Sequence, residues 1–327
     1  MRVAFFVERD MCHPTHRRYA FVSTIIRHFE NCAVFISNGN HVEISKRIVG
    51  QQADFDGVLT FLYGDSLLES CDVLQDLDIP LIVIEHDAYQ NYIVEQDGFG
   101  LFSTFLSRCP VDLFVVSGLT TIRRFRREGQ RCLYLPKAAP EAFLEFPNRE
   151  SGFFCAFGSH RHIVYQHRAK LLRHVAPQRW FDPLGRVLPV LTANIRQSAD
   201  AISGNMTVHR LKFRFSQMAE LLSLYSACVI CDTGLNEPMA KHFEVSALGL
   251  VPFRDGECSD ELAELGYRNG QSMVVYDDCE DLIEKIRYFS RNAGELTRMQ
   301  QHARRAAVGN TWEIRARELY RVLEADY

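Results

Sequence analysis

Short apolar runs that alternate with longer amphipathic segments constrain the fold of this chain most strongly. Val3–Val7, Gly57–Leu62 and Leu113–Val116 are predominantly apolar runs with the length of buried parallel strands. Amphipathic segments follow such runs, and Pro14–Phe29, with apolar residues at three- and four-residue spacing, is a predicted helix. Strands that alternate with helices predict β-α-β units and a mostly parallel sheet that is covered on both faces.

The same pattern restarts after a proline-bearing stretch between residues 136 and 152. Phe153–Phe157 is the first predicted strand of the second series. A chain of 327 residues has room for two domains. We predict a doubly wound, Rossmann-like N-terminal domain of residues 1–147 and a similar C-terminal domain of residues 148–327. We leave open whether the last helix packs back on the N-terminal domain. The alternation of strand-like and helix-like segments is weaker over residues 176–212, which we assign to no helix or strand.

The composition narrows the class of protein. Hydrophobic residues make up 47% of the chain and charged residues 24%, as in ordinary globular proteins. The net charge of −4 gives no global attraction to nucleic acid. No run reaches the roughly 18 apolar residues of a membrane-spanning helix, and the start, MRVAFFVERD, lacks a secretory-signal pattern. The ten cysteines lie mostly in apolar segments, as buried reduced thiols do. We therefore expect a cytoplasmic protein.

The segment from Thr233 to Glu244 follows the predicted strand Cys228–Cys231, and it therefore lies at a carboxyl edge where ligands bind. Pro238 is typical of the first turn of a helix, and Lys241 and Glu244 share one face of that helix. A helix N-terminus with a cation binds phosphate groups, and a carboxylate accepts hydrogen bonds from ribose hydroxyls. The segment therefore suits a nucleotide diphosphate. An ordinary ion pair on a helix surface is the alternative.

Several segments in order resemble one family. KHFEVSALGLVPF, residues 241–253, resembles the R-x-F-E-x-x-A-x-G signature of the CgeB-like (spore maturation protein B-like) glycosyltransferases, which are similar to the retaining GT-B transferases. The other segments are CLYLPKAAPEAF, GFFCAFGSHRHIVYQHRAKLL, VDLFVVSGLTTIRRFRREG and NTWEIRARELYRVL. The resemblance covers most of residues 80–325. It implies an α/β fold of the GT-B type, with two doubly wound Rossmann-like domains that face a central cleft.

The resemblance also implies roles for residues of the C-terminal half. Glu244 matches the glutamate that is expected to hold the donor ribose. Lys241 stands where the family often has arginine, and a lysine meets phosphate without the bidentate fork of arginine. Gly158 and Ser159 would place hydrogen-bond donors near the diphosphate, and Arg168 matches the arginine that follows.

The Glu-x7-Glu pattern of the wider retaining GT-B set is altered in this chain. Its first position is Asn236, and Glu237 comes one residue late. Both residues are candidates for donor binding, and the departure leaves the identity of the donor sugar open.

The N-terminal half supplies candidates for the acceptor side. Glu85-His86-Asp87 follows a predicted strand and resembles the His-Asp pair found after the corresponding strand of many retaining GT-B enzymes. An unperturbed histidine titrates near neutrality, so His86 and Asp87 are the candidate catalytic residues. A hydrogen-bonded pair in a loop, with no part in catalysis, is the alternative.

A second group of candidates for the acceptor or for a donor phosphate carries positive charge. The first strand is followed by His13, His16, Arg17 and Arg18, where related transferases often have a Gly-rich loop that is absent here. Arg161 is a further candidate in the C-terminal half. The alternative for the cluster after the first strand is a polar loop that leads into a helix.

These residues together predict transfer of a hexosyl or pentosyl group from a nucleotide-diphosphate sugar, with retention of configuration. We expect no metal and no cofactor besides the donor substrate, since no Asp-x-Asp motif is found. The acceptor is a polysaccharide, a small molecule, a protein or a modified DNA base, and the run Arg123–Arg127 keeps DNA open. Alternatives are an epimerase or phosphorylase on the same fold, or a non-catalytic nucleotide-sugar-binding subunit. The donor nucleotide and the oligomeric state stay open.

Overall fold

A computed structural model describes residues 1–14, 16, 18–93, 98–147, 154–156, 219–220, 222–230, 237–256 and 258–327. The chain divides into two compact units. The first unit comprises Met1–Ala138, Leu235–Pro238 and Thr311–Tyr327, and the second unit comprises Ala139–Gly234 and Met239–Asn310. The end of the chain therefore belongs to the first unit.

The first unit is built on a parallel sheet. Its strands are β1 (Arg2–Glu8), β2 (Asn31–Ser37), β3 (Gly57–Phe61), β4 (Leu81–Glu85), β5 (Leu113–Val116) and β6 (Cys132–Tyr134). Their order in the sheet is β2-β1-β3-β4-β5-β6, and every neighbouring pair is parallel. The direction of the connections reverses at β1, which lies between β2 and β3. Ligands of open α/β sheets bind beyond the strand ends at such a switch point.

Helices cover both faces of this sheet. They are α1 (Tyr19–His28), α2 (His41–Gly50), α3 (Gly64–Leu74), α4 (Leu101–Arg108), α5 (Leu119–Arg127) and α10 (Trp312–Asp326). Successive strand residues face opposite sides, so Phe5 packs in one hydrophobic core and Phe6 in the other. The core on the Phe5 side includes Phe21 of α1 and Leu319 of α10.

The second unit contains a smaller parallel sheet. Its strands are β7 (Phe154–Ala156), β8 (Ala227–Ile230), β9 (Val251–Asp255) and β10 (Val274–Tyr276), in the order β10-β9-β8-β7. Its helices among the described residues are α6 (Ala240–Ala247), α7 (Ser259–Glu264), α8 (Cys279–Arg291) and α9 (Ala293–Val308). Apolar cores lie on both faces of this sheet as well. The predicted α/β architecture with parallel sheets is confirmed.

One predicted helix has different bounds. The sequence predicts a helix over Pro14–Phe29, whereas α1 begins at Tyr19. The backbone N–H of Arg18 donates to the His16 Nδ1 at 3.1 Å, and a side-chain acceptor of this kind competes with the helical hydrogen bond of that N–H. All cysteines that the structure describes are free thiols. In the described part of the chain, no helix is long and apolar enough to cross a membrane.

Candidate functional site

A buried network of charges lies at the carboxyl end of β4. The Arg18 Nη2 donates to Asp87 Oδ2 at 2.7 Å and to Glu85 Oε1 at 3.2 Å. The Lys137 Nζ donates to the other Asp87 oxygen, Oδ1, at 3.3 Å. The four side chains are buried. Both oxygens of Asp87 therefore face cations, which compensates the loss of water around this carboxylate.

Burial and charge act on this network in opposite directions. Burial raises the pKa of Glu85, although the neighbouring Arg18 guanidinium opposes the rise. Burial by itself would lower the pKa of Arg18, but Glu85 and Asp87 raise it above its ordinary value, so the guanidinium stays charged. Arg18 also lies over the rings of Phe61 and Tyr63, at 5.1 and 5.4 Å from their centroids. Its position is thus fixed by ion pairs and by aromatic faces.

The candidate catalytic histidine, His86, lies among aromatic rings. Its ring stacks on Trp312 of α10, with centroids 5.1 Å apart and planes 15° apart. Phe21 and Phe61 pack at 4.8 and 5.0 Å, and the residue is 5% exposed. The Ser117 Oγ donates to the His86 carbonyl oxygen at 2.8 Å. Neighbouring rings thus hold the imidazole in one orientation, and its catalytic role stays a prediction.

A more exposed polar chain lies after β1 and β3, at the switch point of the sheet. The Nδ1 of His16 accepts from the Arg18 backbone, so a neutral ring carries its proton on Nε2, which lies 3.1 Å from the Tyr63 hydroxyl. That hydroxyl donates to Asp10 Oδ2 at 2.7 Å. The Asp10 side chain is 57% exposed, so the chain of hydrogen bonds ends on a carboxylate in solvent. His13 is exposed nearby in sequence.

The predicted donor helix is α6 of the second unit, which follows β8 in the chain. Lys241, in its first turn, is half-buried, and Glu244 is buried at 7% exposure. The sequence analysis gave an ion pair on the helix surface as the alternative, whereas the Glu244 carboxylate is buried. The arrangement places a cation and a carboxylate on one helix beyond a strand end, as a phosphate- and ribose-binding segment requires.

His242, between these two candidates, is buried without a charge. It is 1% exposed, and neither ring nitrogen has a hydrogen-bond partner among the described residues. Tyr267 packs edge-on against it, with ring centroids 4.5 Å apart. Burial lowers the pKa of His242 to about 3, so the imidazole is neutral at ordinary pH.

The Glu237 carboxylate lies beside α5 of the first unit. The Thr121 hydroxyl of α5 donates to the Glu237 carboxylate, and the glutamate is 2% exposed. A Cβ atom on Gly118, which precedes α5, would overlap this carboxyl group. The absence of a side chain at Gly118 therefore makes room for Glu237 beside the first turn of α5. Its predicted role in donor binding stays a prediction.

Six of the predicted site residues lie outside the described residues. They are Arg17, Gly158, Ser159, Arg161, Arg168 and Asn236. Their predicted roles stay predictions. Within the part of the chain that the structure describes, no group of three or more histidine, cysteine or carboxylate side chains is arranged to hold a metal ion.

Sequence reasoning missed two residues that the structure joins to the candidates. Lys137 donates to Asp87, and Tyr63 bridges His16 to Asp10. Arg18, which the sequence placed in the anion-binding cluster after the first strand, lies in buried ion pairs with Glu85 and Asp87. Lys137 lies within the CLYLPKAAPEAF segment, which was read only for its likeness to a family.

This chain is similar to several known proteins. The family described as glycosyl transferase-like matches residues 173–321. HepE from Anabaena, crystallised with UDP, is 11% identical, with a TM-score of 0.66 and coverage of 99% of this chain and 100% of that one. Sucrose-phosphate synthase from Thermosynechococcus elongatus is 12% identical, with a TM-score of 0.65 and full coverage of both chains. A glycosyltransferase from Rickettsia africae is 11% identical, with a TM-score of 0.62 and coverage of 99% of this chain and 98% of that one.

No curated protein sequence matches this chain at a significant level. The fold is GT-B, because the structural likeness to GT-B glycosyltransferases extends over nearly the whole chain. The family match and the fold together support a glycosyltransferase. The narrower CgeB-like resemblance stays a prediction.

Proposed function

We propose that this protein transfers a sugar from a nucleotide-diphosphate sugar to a hydroxyl-bearing acceptor. The observation that carries the proposal is α6, a helix that follows β8, with Lys241 in its first turn and a buried Glu244 one turn later. This helix lies inside the segment that matches the glycosyl transferase-like family. HepE, which has the same fold, was crystallised with UDP and with UDP-glucose, so uridine nucleotides are the first donors to test.

In this proposal, Glu244 accepts hydrogen bonds from the ribose hydroxyls and Lys241 stabilises the diphosphate. The leaving diphosphate gains negative charge as the bond to the sugar breaks, and a cation near a helix N-terminus stabilises that charge without a metal ion. Transfer with retention rests on the resemblance to retaining GT-B enzymes alone. Nuclear magnetic resonance of the product determines the anomeric configuration, and activity in the presence of a chelator tests metal independence.

The first experiment measures thermal unfolding in the presence of UDP, GDP, TDP, ADP and the corresponding nucleotide sugars. A ligand at about 100 times its dissociation constant adds about 2.7 kcal/mol to the free energy of unfolding. We expect one nucleotide family to raise the melting temperature of the wild type and of Glu284→Gln, a control on an exposed position of α8. The Glu244→Gln variant should lose that increase.

Absence of stabilisation by every nucleotide in the wild type contradicts the proposal. An equal increase in Glu244→Gln removes Glu244 from the donor site. Chromatography of the reaction then separates hydrolysed donor, epimerised donor and glycosylated acceptor. Epimerisation without transfer supports the epimerase alternative instead.

A further inference from the structure

The outer face of α5 carries arginine and no acidic residue. Arg123, Arg124, Arg126 and Arg127 are all exposed, while Ile122 and Phe125 lie on its buried face. The exposed helix α8 is different, because its sequence CEDLIEKIRYFSR contains three acidic and three basic residues. Charges of one sign on a helix repel one another at three- and four-residue spacing. A face of this kind is stabilised when a polyanion covers it.

The neighbours of these arginines do not neutralise their charges. The Arg124 guanidinium lies over the Tyr92 ring, 4.8 Å from its centroid, and the Arg126 Nη2 donates to the Cys132 carbonyl oxygen at 3.0 Å. The side chains of Arg123 and Arg127, one helical turn apart, make no hydrogen bond or ion pair with any described residue. No carboxylate among the described residues therefore forms a salt bridge with any of the four guanidinium groups.

Hydrogen bonds connect the end of α5 to α4, and an exposed aromatic residue precedes α4. Glu128, directly after α5, accepts hydrogen bonds from the Tyr92 hydroxyl at 2.9 Å and from the Ser103 hydroxyl at 2.8 Å. These bonds join the end of α5 to the first turn of α4. Phe99 lies two residues before α4 and is 53% exposed. The row of guanidinium groups on α5 is therefore joined, through Glu128 and Ser103, to the helix that the exposed Phe99 precedes.

We propose that this surface, formed by Arg123, Arg124, Arg126, Arg127 and Phe99 and called the α5 patch, docks on an anionic lipid bilayer. Anionic headgroups attract each nearby arginine by about 1 kcal/mol, or about fivefold in partitioning. Aromatic side chains enter the boundary between headgroups and acyl chains. The phosphates of a duplex would meet the arginines but leave Phe99 in water, so a bilayer fits both parts of the patch better.

The test is sedimentation of the full chain with vesicles of phosphatidylcholine and with vesicles that contain about 30% phosphatidylglycerol. We expect the wild type to bind the anionic vesicles and not the neutral ones, and to be released at about 0.5 M salt, because salt screens exposed charges. The double variant Arg123→Glu/Arg127→Glu should bind at least about 25-fold more weakly, since two fivefold contributions are lost. Phe99→Ser should weaken binding about fivefold, because a half-exposed phenylalanine no longer leaves water.

The matched control is Arg287→Glu/Arg291→Glu on α8, where two exposed arginines have the same four-residue spacing. This variant changes the net charge equally, and we expect it to bind as the wild type does. Equal wild-type binding to neutral and anionic vesicles, no binding to either, or equal loss in both double variants overturns the proposal. Binding to duplex DNA that depends on Arg123 and Arg127, with no binding to vesicles, also overturns it and assigns the patch to nucleic acid. Circular dichroism verifies that each variant is folded.

Discussion

The two units bury ionisable side chains near their strand ends in opposite ways. In the first unit, Arg18 and Lys137 lie in ion pairs with Asp87. Burial alone would lower the pKa of Arg18, but the neighbouring carboxylates raise it above its ordinary value. In the second unit, His242 is enclosed by apolar and aromatic groups, and burial lowers its pKa to about 3. A buried group is thus tolerated either because partners replace its water or because it becomes neutral. The first arrangement is sensitive to loss of a partner, and the second is sensitive to acid.

The largest expected effect comes from removal of one partner in the first unit. Arg18→Met removes the guanidinium that pairs with the buried Glu85 and Asp87, and breaking a buried ion pair costs about 3–5 kcal/mol. The measurement is urea unfolding at neutral pH. The control is Arg131→Met, which breaks the exposed pair with Asp326 and should cost less than about 1 kcal/mol. Equal losses in the two variants would show that burial does not distinguish these pairs.

An intermediate effect is expected from acid in the second unit. The unfolded chain binds a proton at His242 below a pH of about 6.5, whereas the folded protein binds it only below about 3. Stability is therefore complete above the unfolded pKa and falls as the pH decreases toward the folded one. Between pH 6.5 and 5 the loss is about 2 kcal/mol.

The variant His242→Phe retains an aromatic ring against Tyr267 and removes the titrating group. We expect urea unfolding of this variant to lose about 2 kcal/mol less than the wild type over that pH range. His302→Phe makes the same substitution at an exposed position and shows what it does at the surface. Parallel pH curves for wild type and His242→Phe contradict the assignment of acid sensitivity to His242.

The smallest expected effect comes from the exposed chain of His16, Tyr63 and Asp10. Tyr63→Phe removes a hydroxyl that donates to Asp10 and faces His16, and a single hydrogen bond contributes about 0.5–1.5 kcal/mol. Since solvent reaches Asp10, we expect a value near the lower limit from urea unfolding. If the loss were as large as that of Arg18→Met, the hydrogen bonds of Tyr63 would contribute as much as the buried ion pairs. Solvent exposure would then not distinguish the two groups.

The strands were predictable because each is a short apolar run. Leu113–Val116 has the same bounds in the sequence prediction and in the structure. The start of α1 was not predictable from periodicity, because Pro14 is acceptable in a first helical turn and the spacing does not show that the Arg18 N–H donates to the His16 side chain.

The contacts of the candidate site depend on register, which the sequence does not display. Arg18 and Asp87 are 69 residues apart and meet because β1, β3 and β4 are adjacent and end at the same edge. The sequence also did not predict the burial of Glu244, since the three-residue spacing of Lys241 and Glu244 is equally compatible with an exposed helix face. The family resemblance selected this helix, and the packing of α6 places the glutamate among buried residues.

The place of α10 in the first unit has a consequence for synthesis on the ribosome. Trp312, Ala316, Leu319 and Leu323 complete a hydrophobic core whose other members come mainly from the first 138 residues. While the second unit is translated, α10 has not yet been synthesised. The core residues of the first 138 residues that pack against α10 therefore remain uncovered during that interval. The part made first is the last to be finished, and during that interval Phe21 and its neighbours are the natural contacts for a chaperone.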